Sequence, residues 1–408
     1  MQANLTQKSF PGKEQQPVTT YEEKDRLVIC LEGRIDSSNS KETETEIKRI
    51  LAENAGKDFS FDAESLEHIS SAGLRVLLEI HRKSGSGVTI RNVSMEIYEI
   101  LDVTGFTTFM NVKRKPRAVS VEGCPVIGKG AVGEVYRLDA DTIVKVYENE
   151  DYLPMIENEQ VRSRQAFLKG IPTAIPFDIV KVGDRYGSVF EMIKAKNCND
   201  LLAEDNGRLE EMIGMYADFL RQVHGAAAEP GELPDAREIY LGYLDKAAEV
   251  IPEEVCSRIR TLIREMPEDK HVIHGDIQLK NVMYSNGEMI LIDMETLSCG
   301  NRVFDLAGMY MAYVAFCEDE PENSQNFLGL PLEVSIRLCY GTLRRYLDPA
   351  DEEAWQTALD KIVLLAYVRF LFVLSLLGGG NPDCYEQRIK HSREHLEELV
   401  SRVKELAV

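Results

Sequence analysis

The chain has 408 residues, more than one typical domain, and its 47 Lys and Arg against 68 Asp and Glu leave a formal charge of −21. Acidity this general gives solubility and argues against a nucleic-acid or anionic-membrane partner. Eight dispersed cysteines without Cys-x-x-Cys spacing and no apolar N-terminal signal segment argue against a disulfide scaffold and a zinc cluster, so reduced thiols in a cytoplasm are expected.

Residues 1–18 are polar, with Gln, Lys and Pro, and read as a disordered tail. RLVICLEGRID then has a strand pattern ending at a turn. SKETETEIKRILAE is an amphipathic helix with Ile47, Ile50 and Leu51 on one face. DFSFDAESLEHISSAGLRVLLEIHRKS gives strand then helix, and GVTIRNVS with MEIYEILDVTGFTTFMNV repeats the alternation, so residues 19–113 form a small α/β sandwich. Ser70 or Ser71 stands where the second helix begins; an unmodified serine there is an N-cap worth about 1 kcal/mol. The basic, proline-containing KRKPR, Lys113 to Arg117, marks a joint, with residues 114–120 as the linker.

VIGKGAVGEVYRLDADTIVKVY follows, with glycines at Gly128, Gly130 and Gly133 and a lysine, Lys145, in a Val-Lys-Val strand. A dinucleotide-binding glycine turn should follow a strand and open a helix. Here the order is strand, turn, strand, which suits a hairpin lying over triphosphate, because glycine lacks a Cβ to block the approach. The helix in PMIENEQVRSRQAFLKGIPTA carries two carboxylates, Glu157 and Glu159. SVFEMI is a hydrophobic strand leading into backbone at Glu191 to Ile193.

HGDIQLKN comes next, and twelve residues beyond its Asn281, Asp293 stands in LIDMET. Asp276, Asn281 and Asp293 are the oxygen side chains that phosphoryl transfer needs, one to orient a hydroxyl and two to hold Mg²⁺ against phosphates. Glu295 would share a strand face with Asp293 and could reach a second metal; a surface carboxylate in a turn is the equal alternative. The acidic CEDEPEN, Cys317 to Asn323, reads as an exposed loop. KIVLLAYVRFLFVLSLLGGG is short for a membrane span and carries Arg369 in its middle, which favours a buried helix.

In this order the motifs from about Val121 to the C-terminus resemble the kinase-like phosphotransferases of the aminoglycoside and choline kinase class, whose catalytic loop reads H-G-D where protein kinases have H-R-D. The resemblance implies an α+β bilobal fold, with residues 121–194 as the N-lobe and 195–408 as the C-lobe. It implies ATP and Mg²⁺ as cofactors and a small-molecule hydroxyl as acceptor. It makes Lys145 the phosphate lysine, paired with a helix carboxylate that is Glu159, with Glu157 as the alternative; it makes Asp276 the catalytic base, Asn281 and Asp293 the metal ligands, Glu191 and Ile193 part of an adenine hinge, and His274 and Asp305 of NRVFDLA structural supports of the loop. Only a dozen residues separate Asp293 from Asp305, with no D-F-G or A-P-E string, leaving no room for an activation loop.

ISSAGLRVLL and GRIDSSN are similar to the signature stretches of the STAS domain of anti-sigma factor antagonists. That resemblance implies an anti-sigma or other STAS-binding partner and places the family's phosphoacceptor serine at Ser71; those antagonists often carry Asp before the acceptor, where this chain has Ser70. Two other functions stay open, an atypical serine kinase acting on a STAS domain and a nucleotide-gated pseudokinase.

Overall fold

The computed structural model describes residues 18–23, 26–84, 87–130, 132–377 and 382–408. The proposed tail, residues 1–17, lies outside them, whereas Val18, assigned above to the tail, is buried as the first residue of a strand. The chain divides into two compact units after Ala118.

In the first unit, β1 (Val18–Glu23) pairs antiparallel with β2 (Arg26–Ile35). Strands β3 (Phe59–Ile69), β4 (Thr89–Val93) and β5 (Asn111–Arg114) add in parallel, giving the order β1-β2-β3-β4-β5. Each parallel step needs a crossover, and the helices α1 (Ser40–Glu53), α2 (Ser71–Ser84) and α3 (Met95–Val103) supply them. Their apolar stripes, led by Ile47, Leu77, Ile80, Ile97 and Leu101, close over Ile29, Leu31, Phe61 and Ile90 of the sheet.

Gly73 fixes how tightly α2 seats. A Cβ there would stand 2.7 Å from both the Ile35 carbonyl oxygen and Ile69 Cγ1, so only glycine lets the helix start press onto the ends of β2 and β3. The basic joint needs one correction: Lys113 and Arg114 belong to β5, where parallel pairing with β4 overrides the composition of a linker. The two-residue β6 (Arg117–Ala118) ends the unit.

The second unit opens with an antiparallel sheet built on β7 (Val126–Lys129), β8 (Gly133–Arg137), β9 (Thr142–Tyr147), β10 (Pro176–Val182) and β11 (Arg185–Glu191), ordered β10-β11-β9-β8-β7. Its own core is small: Val144, Val146, Val180, Val182 and Val189. Helix α4 (Leu153–Leu168) packs on this sheet.

The larger lobe is helical. Short strand β12 (Lys196–Asn197) leads into α5 (Cys198–Glu204), α6 (Leu209–His224), α7 (Ala236–Ala247) and α8 (Glu253–Arg264). Strand β13 (Val272–Ile273), the hairpin β14 (Val282–Ser285) and β15 (Glu288–Leu291), and β16 (Ser298–Cys299) carry the catalytic-loop motifs. Helices α9 (Val303–Tyr310), α10 (Phe316–Glu318), α11 (Leu332–Leu347), α12 (Glu352–Leu377) and α13 (Pro382–Arg402) complete the lobe around one continuous apolar core.

The apolar run with Arg369 lies in α12 as far as Leu377, and among the described residues no helix is long and apolar enough to cross a membrane. The acidic CEDEPEN segment is not a free loop. Glu318 bonds Tyr367 and His395, Asp319 lies 2.6 Å from His391, and Glu320 lies 2.5 Å from Arg388. Basic residues of α13, distant in sequence, hold the acids down.

Candidate active site

Lys145 is central in its sheet, between Val135 of β8 and Ser188 of β11. Its neighbours Val144 and Val146 point into the small core, so the pleat turns the lysine to the opposite face. There Nζ lies 3.1 Å from Glu159 Oε1 and 3.4 Å from Asp293 Oδ1. Glu159, not Glu157, is the carboxylate that α4 presents to the lysine. Burial pulls the Lys145 pKa down, but the charges of Glu159 and Asp293 outweigh it and the ammonium is held above its ordinary value. Tyr147, two residues along the strand, donates its hydroxyl to Glu159 Oε2, a support with no sequence signature.

The three glycines of the hairpin differ in what they do. A Cβ on Gly133 would stand 2.1 Å from the Val146 carbonyl oxygen, so this glycine is required by close approach of β8 to β9. Gly128 and Gly130 meet nothing nearer than 3.6 and 3.8 Å, so the protein itself has room for a methyl group there; the bareness of the loop is toward its open side. Ala131, in the loop, lies outside the described residues.

The catalytic-loop sequence folds around Asp305. Its fully buried carboxylate accepts the His274 amide at 2.8 Å and the Gly275 amide at 2.6 Å, and lies 3.0 Å from His224 Nε2. Burial raises this carboxyl, yet the bond and charge of His224 and the backbone amide of His274 more than offset it, and its pKa falls below the usual carboxylate value. His274 is buried, with Nε2 3.2 Å from the Ile292 carbonyl and Nδ1 accepting the Asp276 amide at 3.3 Å. Gly275 has φ 85°, and a Cβ would lie 2.6 Å from the Thr296 carbonyl, so glycine is needed for both conformation and space.

Asp276 leaves this turn with both carboxylate oxygens engaged. Oδ1 takes Arg369 Nη2 at 3.1 Å, while Oδ2 takes Gln278 Nε2 and Asn281 Nδ2, each at 3.0 Å. Asn281 Nδ2 also donates to the Asp276 carbonyl at 2.9 Å. With its amide nitrogen spent, Asn281 keeps its oxygen as an acceptor for a cation. Asp293 sits at φ 64°, ψ 73°, a left-handed conformation that aspartate tolerates better than most residues, and this points its exposed carboxylate at Lys145.

Among the described residues no group of three or more His, Cys, Asp or Glu is arranged to hold a metal. One amide and one carboxylate fit a hard cation that keeps water and phosphate oxygens as its other ligands, as Mg²⁺ does. Glu295 is half-buried, and burial, opposed by Lys145 and reinforced by Asp293 and Glu159, raises its carboxyl pKa. A cavity of about 140 Å³ is lined by Arg162, Tyr243, Gly275, Glu295 and Thr296 among others. Glu191 ends β11; its amide goes to the Ile175 carbonyl and that of Met192 to Asp141, while the Ile193 carbonyl accepts from Ala195.

Three more side chains at the site escaped the sequence reading. His224 closes α6 in a Val-His-Gly string that could have flagged it, whereas Arg162, which bonds the Glu295 carbonyl, has no local signal. Arg369 stood out in its apolar run but was read only as an argument against a membrane span.

The phosphotransferase enzyme family model matches residues 123–328, half of the chain, and the STAS domain model matches residues 17–118. The chain belongs to the phosphotransferase enzyme family and carries a STAS domain ahead of the kinase-like fold. Solved structures similar to it include a thermostable mutant of the aminoglycoside phosphotransferase APH(4)-Ia, at 12% identity over 68% of this chain and 94% of that one, TM-score 0.47. A choline/ethanolamine kinase family protein from Mesorhizobium loti matches at 16% identity over 68% and 87%, TM-score 0.45. ADP-bound aminoglycoside phosphotransferase APH(2'')-Ib matches at 13% over 75% and 99%, TM-score 0.45. No curated protein matches the chain.

Proposed function

We propose that this protein is an ATP-dependent phosphotransferase that places the γ-phosphoryl group on the hydroxyl of a small molecule. The observation that carries the reading is the meeting of Lys145 with both Glu159 and Asp293, across 148 residues of sequence to the latter, in a site whose Asp276 is fixed by Asn281. Lys145 neutralises the α and β phosphates, and the Glu191 to Ile193 backbone is the proposed adenine hinge. Asp276 accepts the proton of the acceptor hydroxyl as its oxygen bonds to phosphorus and the bond to the ADP oxygen breaks. Asn281 and Asp293 would hold Mg²⁺, which when bound offsets phosphate charge.

In this reading the STAS domain is a docking or regulatory module, and Ser71 is its modification site. Ser70 Oγ accepts the Ala72 amide at 3.1 Å and so caps α2, while Ser71 is exposed at the first turn. A phosphate on Ser71 would add about two negative charges where a helix N-terminus tolerates them. That exposure also keeps a second reading open, in which a STAS serine is the acceptor.

Incubation of the full chain with γ-labelled ATP, Mg²⁺ and a panel of hydroxylated amines, followed by intact mass and peptide mapping, separates the two. Label on a panel member supports the first reading. Label on Ser71 alone, lost in Asp276→Asn, replaces it with the second. Label transferred equally well by Asp276→Asn refutes both.

A further inference from the structure

We infer that Arg369 is the positioning residue of Asp276, a role that rests on the reading of Asp276 as the base. Arg369 comes from the middle of α12, where its neighbours Leu365, Ala366, Val368, Phe370 and Leu371 are all buried in the core. A guanidinium at 8% exposure in such a helix costs several kcal/mol unless its donors are met. They are met at the catalytic turn: Nη1 donates to the Gly275 carbonyl, and Nη2 to Asp276 Oδ1 at 3.1 Å. One rigid fork thereby holds both the backbone before the base and the base itself.

A second helix is shaped to admit it. Gly308 of α9 faces the guanidinium, and a Cβ at that position would stand 2.3 Å from Arg369 Nη1. Because that atom is the tip of a flexible side chain, an alanine would move the guanidinium rather than the helix. Arginine also suits the place chemically. It donates only and does not lose its proton in proteins, so it orients the carboxylate without competing as a base. With Gln278 and Asn281 on Oδ2, it leaves Asp276 one orientation.

The test is a double-mutant cycle on ADP formation from Mg·ATP by the full chain. Arg369→Met is expected to lower kcat by about 10- to 100-fold, the scale of a misplaced reacting group, while the KM for ATP stays within about twofold. In an Asp276→Asn background the same change should cost less than about twofold more, because no base remains to be placed. Arg369→Lys should restore only part of kcat, since an ammonium cannot span both oxygens. Equal losses in both backgrounds, or a rise in KM that parallels the fall in kcat, would overturn the inference and leave Arg369 a support of the fold. Should Arg369→Met not fold, Gly308→Ala keeps every charge and displaces the guanidinium; ADP formation at the wild-type rate in that variant overturns it equally. Retention of more than about a tenth of kcat by Asp276→Asn alone is the distinct result that refutes the base itself.

Discussion

Replacing Asp305 with asparagine tests how the catalytic turn is held. The carboxylate is fully buried and takes two backbone amides and His224, so Asp305→Asn removes a charge and aims an NH₂ group at one of three donors. Losing charge-assisted bonds and leaving a buried donor unpaired costs roughly 3–5 kcal/mol. At roughly 2–4 °C per kcal/mol, the melting transition of the second unit should fall by about 6–20 °C. Its pH dependence gives a second handle. The folded pKa is lowered, so the stabilisation is complete above the unfolded value, about 3.9, and is lost as pH falls through the folded value. The gap in Tm between wild type and variant, followed by calorimetry, should therefore be full at pH 7 and narrow below about pH 4. A variant melting within a degree or two of wild type at pH 7 would show that the turn does not depend on this carboxylate.

Gly133→Ala puts a methyl group against the Val146 carbonyl, and overpacking of this kind costs about 1–3 kcal/mol. Because β8 and β9 carry the loop and Lys145, ATP affinity by calorimetric titration should fall; an unchanged Kd contradicts the close-approach argument. Asp293→Ala should weaken ATP binding in Mg²⁺ more than in EDTA, and equal affinities would remove Asp293 from the metal site. His395, whose pKa is raised by its bond to Glu318 against the opposing effect of burial, contributes below the unfolded value of about 6.5 and loses its contribution as pH rises through the folded value. Both partners are about a third exposed, so solvent screening limits the effect to about 1 kcal/mol, and His395→Gln should destabilise at pH 6 and hardly at all at pH 9.

What could be read in the sequence was what lies close along the chain. Hydrophobic alternation marked the strand-helix repeat of the first unit, and the order of glycine hairpin, lysine strand and H-G-D loop brought out residues that the fold then joins. Distance from the turn at Gly170 favoured Glu159, with Glu157 as the alternative, and Glu159 is the one that α4 presents to Lys145. Strand β1 went unseen: VTTYEE buries only Val18, so its sequence has no alternating pattern. The acidic segment at Cys317 to Asn323 looked solvated because its partners, Tyr367 to His395, are dozens of residues away. The same holds for Arg369, 93 residues from the aspartate it bonds.

Helix α4, which carries Glu159, is moored to the larger lobe from its C-terminal half and the residue that caps it. Arg162 bonds the Glu295 carbonyl, Gln165 Nε2 reaches the Glu232 carbonyl at 3.0 Å, and Lys169 pairs with the Glu232 carboxylate at 2.6 Å. A helix tied at three successive turns does not swing outward without breaking all three ties, so the Lys145 to Glu159 pair is a standing fixture rather than a contact made on command. A signal that worked by displacing this helix would first have to break those ties.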